Sequence, residues 1–184
     1  MKELALHILD LVQNCITARA TRIDLTVIED HLKNRLSIRI QDNGCGMSPT
    51  VLEQVTDPFY TTRTTRSVGL GIPMFKVNAQ MCGGDFSIQS EVGVGTVIEA
   101  RFKHNHIDRP PLGDMSTTIV GIVLSLEGCD LTYSHQVNEG LFYLSTEEMR
   151  ELLGDDVDLG DVEVLQWVKG YVKEGLAEIE KEMI

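Results

Sequence analysis

One carboxylate followed by two closely spaced glycines, Asp42-x-Gly44-x-Gly46, is the stretch around which chemistry can be organised in this chain. It ends a run, Leu36 to Ile40, in which apolar residues alternate with Ser37 and Arg39, the signature of a half-buried strand. A strand that delivers an acid into a glycine turn sets a hydrogen-bond acceptor at the floor of a slot. Glycine permits dihedrals that a Cβ forbids and lets a flat group lie against bare backbone. Such a floor suits an exocyclic amine like that of adenine. The same spacing also arises in turns for purely local reasons, since Asp, Asn and Gly all favour strand-to-turn junctions.

Two further polar groups stand four residues apart, Asp10 and Asn14. On a helix they project from one face. A carboxylate and an amide oxygen are hard ligands of the kind that Mg²⁺ takes. Residues 57–68 (DPFYTTRTTRSV) show neither helical nor strand periodicity and carry Arg63 and Arg66, whose planar forks match phosphate oxygens. They close on Gly69-Leu70-Gly71, the entrance to a helical stretch. Backbone amides at such an entrance form an anion site. No Gly-Lys-Ser/Thr follows, and the glycines come after a loop instead of a strand, so neither a P-loop nor a dinucleotide fingerprint is present.

The elements that position these groups follow from periodicity. Leu4, Ile8, Leu11, Cys15 and Ala18 give residues 3–18 the stripe of an amphipathic helix. Residues 23–28 and 35–41 alternate as a hairpin. Ser48-Pro49 opens a short helix, with serine as cap and proline at the first helical position. A helix over 69–82, stopped by Gly83-Gly84, precedes a second hairpin, 85–90 and 96–102, around the tight turn at 91–95. A linker with two prolines, 104–113, leads to a helix from Asp114 or Ser116 to about Leu126, a third hairpin (129–137 and 140–144), a short helix from Ser145, and a last helix from Asp161. That last helix carries Leu165, Val168, Val172, Leu176 and Ile179 on one face.

Composition excludes several classes. The chain has 184 residues, 16 Lys and Arg against 28 Asp and Glu, and a formal net charge of −12. Residues 1–103 hold 11 of each sign, so residues 104–184 carry the whole imbalance. Nucleic acid is not an expected partner, because phosphate binding wants the opposite sign. The acidic part is expected to be a solvated helical surface. No apolar run is long enough to span a membrane. The N-terminal residues are not expected to form a signal peptide, and the four scattered cysteines, Cys15, Cys45, Cys82 and Cys129, suit reduced thiols in a cytoplasmic protein. His104-x-His106 is a loop pair without a third ligand in the sequence, and is expected to be exposed.

Taken in order, Asp10-x-x-x-Asn14, Asp42-x-Gly44-x-Gly46, Gly69-Leu70-Gly71 and Gly93-Val94-Gly95-Thr96 resemble the Bergerat ATP-binding fold of the GHKL superfamily. That superfamily comprises gyrase, heat-shock chaperone, histidine kinase and MutL. The resemblance spans residues 4–103. Pro58 to Arg63 and Val68 to Pro73 look most like the catalytic ATP-binding domain of histidine kinases, and Asn14 to Ala20 more like the MutL and gyrase version of the first box. The resemblance implies an α+β two-layer sandwich, a mixed sheet covered on one face by helices. It implies ATP and Mg²⁺ as ligands, Asn14 as the metal ligand, and Asp42 as acceptor from the adenine amine. Gly44, Gly46 and Met47 would line the slot, with Thr96 supporting it. Thr61, Thr62, Arg63 and Arg66 would form a lid, and Gly69, Leu70 and Gly71 would receive phosphates. Asp10 would be the catalytic residue, standing where the hydrolytic branch carries Glu.

Residues 1–103 are therefore expected to form the ATP-binding domain, and 104–184 an acidic extension of mixed helix and hairpin. Only nine residues precede Asp10, so the expectation is a stand-alone protein without its own dimerisation helices or phosphoacceptor. It would pass phosphate to a separate protein partner in bacterial signalling, as a monomer or homodimer. The alternatives are a nucleotide-sensing adaptor and a slow ATPase with Asp10 as base. The apolar stripe of the last helix needs a cover, either the chain's own sheet or a second copy, and its own sheet is the commoner solution.

Overall fold

The computed structural model describes residues 3–56, 71–154 and 157–181. It is a two-layer α+β sandwich built on one six-stranded mixed sheet. Helix α1 (Leu4–Thr17) leads into the hairpin β1 (Arg22–Asp30) and β2 (Arg35–Asp42). Helices α2 (Pro49–Val55) and α3 (Gly71–Met81) precede the second hairpin, β3 (Asp85–Glu91) and β4 (Gly95–Lys103). Then come α4 (Met115–Ser125), the hairpin β5 (Asp130–Val137) and β6 (Gly140–Ser145), α5 (Thr146–Leu153) and α6 (Val162–Lys181). Each element anticipated among the described residues is present, within a residue or two at its ends.

The sheet order is β3-β4-β2-β1-β5-β6, antiparallel throughout except for the parallel pair β1–β5. Alternation decides its two faces. Ile23, Leu25 and Val27 of β1, with Leu36, Ile38 and Ile40 of β2, are buried under the helices. Asp24, Arg39, Glu99 and Arg101 point the other way, where Arg101 pairs with Glu99 and Asp85. One contiguous core joins α1, α3, α4 and α6 to the inner face.

Helix ends are set by local chemistry. Ser48 caps α2 by accepting from the Val51 amide, with Pro49 at the first position. Asp114 caps α4, accepting from the Thr117 amide and from the hydroxyls of Ser116 and Thr117. α1 has no side-chain cap. Two of its orphan amides, those of Leu4 and Ala5, donate to the Pro111 and Leu112 carbonyls of the proline linker at 2.9 and 2.7 Å. The linker thus closes the start of the helix that carries Asp10 and Asn14.

Residues beyond 103 complete the sheet. β5 lies along β1, which without it would be an edge strand. The stripe of α6 is covered by its own chain: Val168 and Val172 are fully buried and Ile179 nearly so, against α4 and β6. Trp167 lies off that stripe, 55% exposed, stacked on Tyr171 at 4.9 Å between ring centroids. No helix among the described residues is long and apolar enough to cross a membrane.

Candidate functional site

Asp42 is the last residue of β2, and its parity puts it on the helix-covered face with Leu36, Ile38 and Ile40. It is 8% exposed, a rare burial for a carboxylate. Oδ1 accepts the Gly44 amide at 2.8 Å, so the acid organises its own turn. The buried thiol of Cys15, on α1, lies against the same carboxylate. Burial and the neighbouring negative charge both push that thiol well up, so it stays protonated. It donates to the Leu11 carbonyl at 3.3 Å. Cys15 is thus a packing residue, inert as a nucleophile.

Thr96, buried on β4, is the register partner of Asp42. Its hydroxyl lies 2.9 Å from that of Ser90, which also accepts the Met47 amide at 2.8 Å and donates to the Gly95 carbonyl at 3.1 Å. Ser90 thereby ties the Asp42 turn to the second hairpin. Asn43 ties it to the first: its Oδ1 accepts the amides of Thr21 and Arg22, both at 2.9 Å, and its amide donates to the Thr21 hydroxyl. Cys45 donates its amide to the Ala18 carbonyl and accepts that of Gly93. Sequence reasoning passed over Ser90 and Asn43. The polar residue at the inward parity of strand 85–90 was the available signal for Ser90.

The glycines show the expected dihedral at Gly46 and, in addition, close approaches to neighbouring backbone. A Cβ on Gly44 would sit 2.8 Å from the Ala18 carbonyl and 3.0 Å from the Asp42 carboxylate. A Cβ on Gly46 would overlap the Glu91 carbonyl, and Gly46 has φ +65°. A Cβ on Gly95 would overlap the Asp42 backbone. The space at these positions is filled by neighbouring protein. The glycines let the neighbouring turns interlock around Asp42.

On α1, Asp10 is exposed and Asn14 half-buried, one turn apart. α3 begins beside them. A Cβ on Gly71 would come 3.5 Å from the Asp10 Cβ, so the amide end of α3 and the Asp10 side chain share one rim. The fold thus sets Asp42, Gly44, Gly46, Met47 and Thr96 around one turn, and Asp10 beside Gly71 with Asn14 one turn further along α1. Thr61, Thr62, Arg63, Arg66, Gly69 and Leu70 lie outside the described residues. A cleft of about 590 Å³, lined by Arg22, Asp24, Gln41, Gln89 and Val97, opens on the helix-free face. Asp42, Asn43, Ser90 and Thr96 also line it, so the Asp42 turn forms one wall of this cleft.

Residues 2–106 match the family described as histidine kinase-, DNA gyrase B-, and HSP90-like ATPases. A putative sensor protein of Shewanella frigidimarina is 37% identical over 97 residues, 52% of this chain but 15% of that protein. The sensor histidine kinase YvrG of Bacillus subtilis is 28% identical over 98 residues, 51% of this chain and 17% of that protein. The tetrathionate sensor histidine kinase TtrS of Salmonella typhimurium is 32% identical over 113 residues, 59% of this chain and 18% of that protein. The chain thus spans less than a fifth of the length of these curated relatives. Among solved structures, the N-terminal domain of a DNA repair protein superposes with a TM-score of 0.53 at 18% identity, covering 79% of this chain and 53% of that one. That likeness is one of fold.

Proposed function

This chain belongs to the family of histidine kinase-, DNA gyrase B- and HSP90-like ATPases, and on that premise we propose that it binds Mg·ATP in the slot between α1, the Asp42 turn and the start of α3. The buried Asp42 carboxylate carries the reading. A carboxylate so far out of water needs a donor to be worth its burial. The Gly44 amide supplies one to Oδ1, and an exocyclic amine entering the slot is the natural second donor. Thr96, held by Ser90, flanks the acid and orients that amine or a bridging water. The first amides of α3 and the positive end of its dipole meet the phosphates.

Asn14 and Asp10 fit a magnesium ion in donor chemistry: an amide oxygen and a carboxylate, a turn apart, on the rim facing the α3 entrance. Mg²⁺ would screen charge among the phosphate oxygens when bound. Asn14 would hold it, and Asp10 would orient the attacking group or take its proton.

For the γ-phosphate, the reading is transfer to a histidine, serine or threonine of a partner protein in bacterial signalling. The names of the matched relatives, sensor histidine kinases among them, support it. The nearness of Asp10 to Gly71 favours a second reading, slow hydrolysis with Asp10 as base. A cytoplasmic site of action is part of the same reading, in keeping with four free cysteines. Incubation with γ-labelled ATP, with and without cell lysate, separates the outcomes. Transfer predicts a labelled protein band. Free phosphate abolished by Asp10→Asn supports hydrolysis, and ATP binding without either product assigns a sensor.

A further inference from the structure

His104 and His106, expected as an exposed pair, are separated by the fold. His104, only 19% exposed in its side chain, turns inward to Glu29, and the third group beside them is His31. We propose that Glu29, His31 and His104 form a site for a divalent transition-metal ion of the zinc class, at the end of the sheet remote from Asp42. Asp42 pairs with Ile23 at the start of β1, and Glu29 lies six residues further along, roughly 20 Å away.

The donor set is a carboxylate oxygen and two imidazole nitrogens, all within 4.8 Å of one another. Such a set suits zinc and its neighbours and does not suit Mg²⁺ or Ca²⁺, which prefer all-oxygen shells. Glu29 Oε2 and His104 Nε2 are already 3.0 Å apart, close to the donor spacing of a tetrahedral ion with bonds of about 2.0–2.2 Å. His31 is exposed and free to close the remaining gap. It also leaves an entry path and a fourth, open position.

The supporting groups are those that hold metal ligands in place. His135 Nε2 donates to Glu29 Oε1 at 3.0 Å, and the Tyr133 hydroxyl lies 2.7 Å from His135 Nδ1. Glu29 lies at the end of β1, His31 and His104 follow in the turns after β1 and β4, and asparagines pin those turns. The His31 amide donates to Asn138 Oδ1 at 2.9 Å, and beside His104 the Asn34 side chain donates to Asn105 Oδ1 and accepts the Asn105 backbone amide. A hydrogen-bonded carboxylate alone would explain His104 and His135. His31 has no part in that network: among the described residues its ring is placed by stacking on His104, 4.3 Å between centroids.

The test is a zinc titration of the full chain, stripped by a chelator and competed against a chromophoric zinc indicator. One ion per chain is expected, with a rise in melting temperature. His31→Ala, an exposed change that spares the fold, should weaken binding at least a hundredfold and abolish the rise. His135→Phe, which removes only a supporting group, should cost roughly ten- to a hundredfold. His106→Ala and Asp42→Asn should bind as wild type does, which separates this site from the loop histidine and from the nucleotide slot. Failure of the wild type to compete for zinc overturns the proposal. So does a His31→Ala protein that binds with undiminished affinity.

Discussion

Gly46 shows how closely the Asp42 turn is built. Its φ of +65° disfavours any side chain, and a Cβ there would enter the Glu91 backbone. Gly46→Ala is expected to cost about 1–3 kcal/mol from the dihedral alone, with more from the displaced hairpin turn. The chemical denaturation midpoint should fall, and ATP affinity with it, because Glu91 belongs to the strand whose Ser90 holds Thr96. Asp42, its two glycines and the Asp10–Asn14 pair were all legible in the chain, because motif spacing is a property of sequence. Their surroundings were not. Ser90 and Asn43 act through tertiary hydrogen bonds, and strand parity shows only that Ser90 faces inward, not what it holds. His31 and His104 are 73 positions apart and meet only because two hairpins end side by side.

The hairpins and most helices were legible for a different reason: apolar residues alternate along each strand and recur at three and four along α1 and α6. Less visible was how the ends are closed. α1 is capped by the carbonyls of Pro111 and Leu112, a contact between segments a hundred residues apart. α4, by contrast, is closed locally by Asp114, whose acid is held below the usual carboxylate range by the Ser116 and Thr117 hydroxyls and the Thr117 amide. Asp114→Ala should therefore cost about 1 kcal/mol and lower Tm by roughly 2–4 °C. The sign with pH follows from the depressed folded value. The cap's contribution is complete above the unfolded pKa of about 3.9 and fades as pH falls below it through the folded value. The stability difference between wild type and Asp114→Ala should accordingly shrink in acid and stay constant between pH 6 and 8.

The family match ends at residue 106, yet the sheet does not. β5 pairs with β1 from Arg22 to Glu29, and Ile119, Leu131, Val168 and Val172 share the core that α1 enters. Removing residues 104–184 would expose an eight-residue pairing edge on β1 and uncover α1, whose first amides would lose their partners. A fragment ending at Lys103 is expected to aggregate or to unfold cooperatively at a much lower temperature than the full chain. Soluble, folded, monomeric behaviour of that fragment in light scattering and circular dichroism would show instead that the acidic part is an independent module. The apolar stripe of α6 was visible in sequence, but its cover was not, since only the fold brings α4 and β6 beneath it.

Calorimetric titration of ATP in the presence of Mg²⁺ into wild type and Asp42→Asn most directly tests whether the Asp42 slot is a nucleotide site. Asparagine keeps an oxygen for the Gly44 amide, so the turn survives. What changes is the face offered to the adenine amine, where a charged acceptor becomes half of an amide. We expect one ATP per wild-type chain and a loss of about 1.5–3 kcal/mol in the variant, roughly ten- to more than a hundredfold in Kd. Equal affinity for ATP in the two proteins, or no binding by the wild type, would contradict the account.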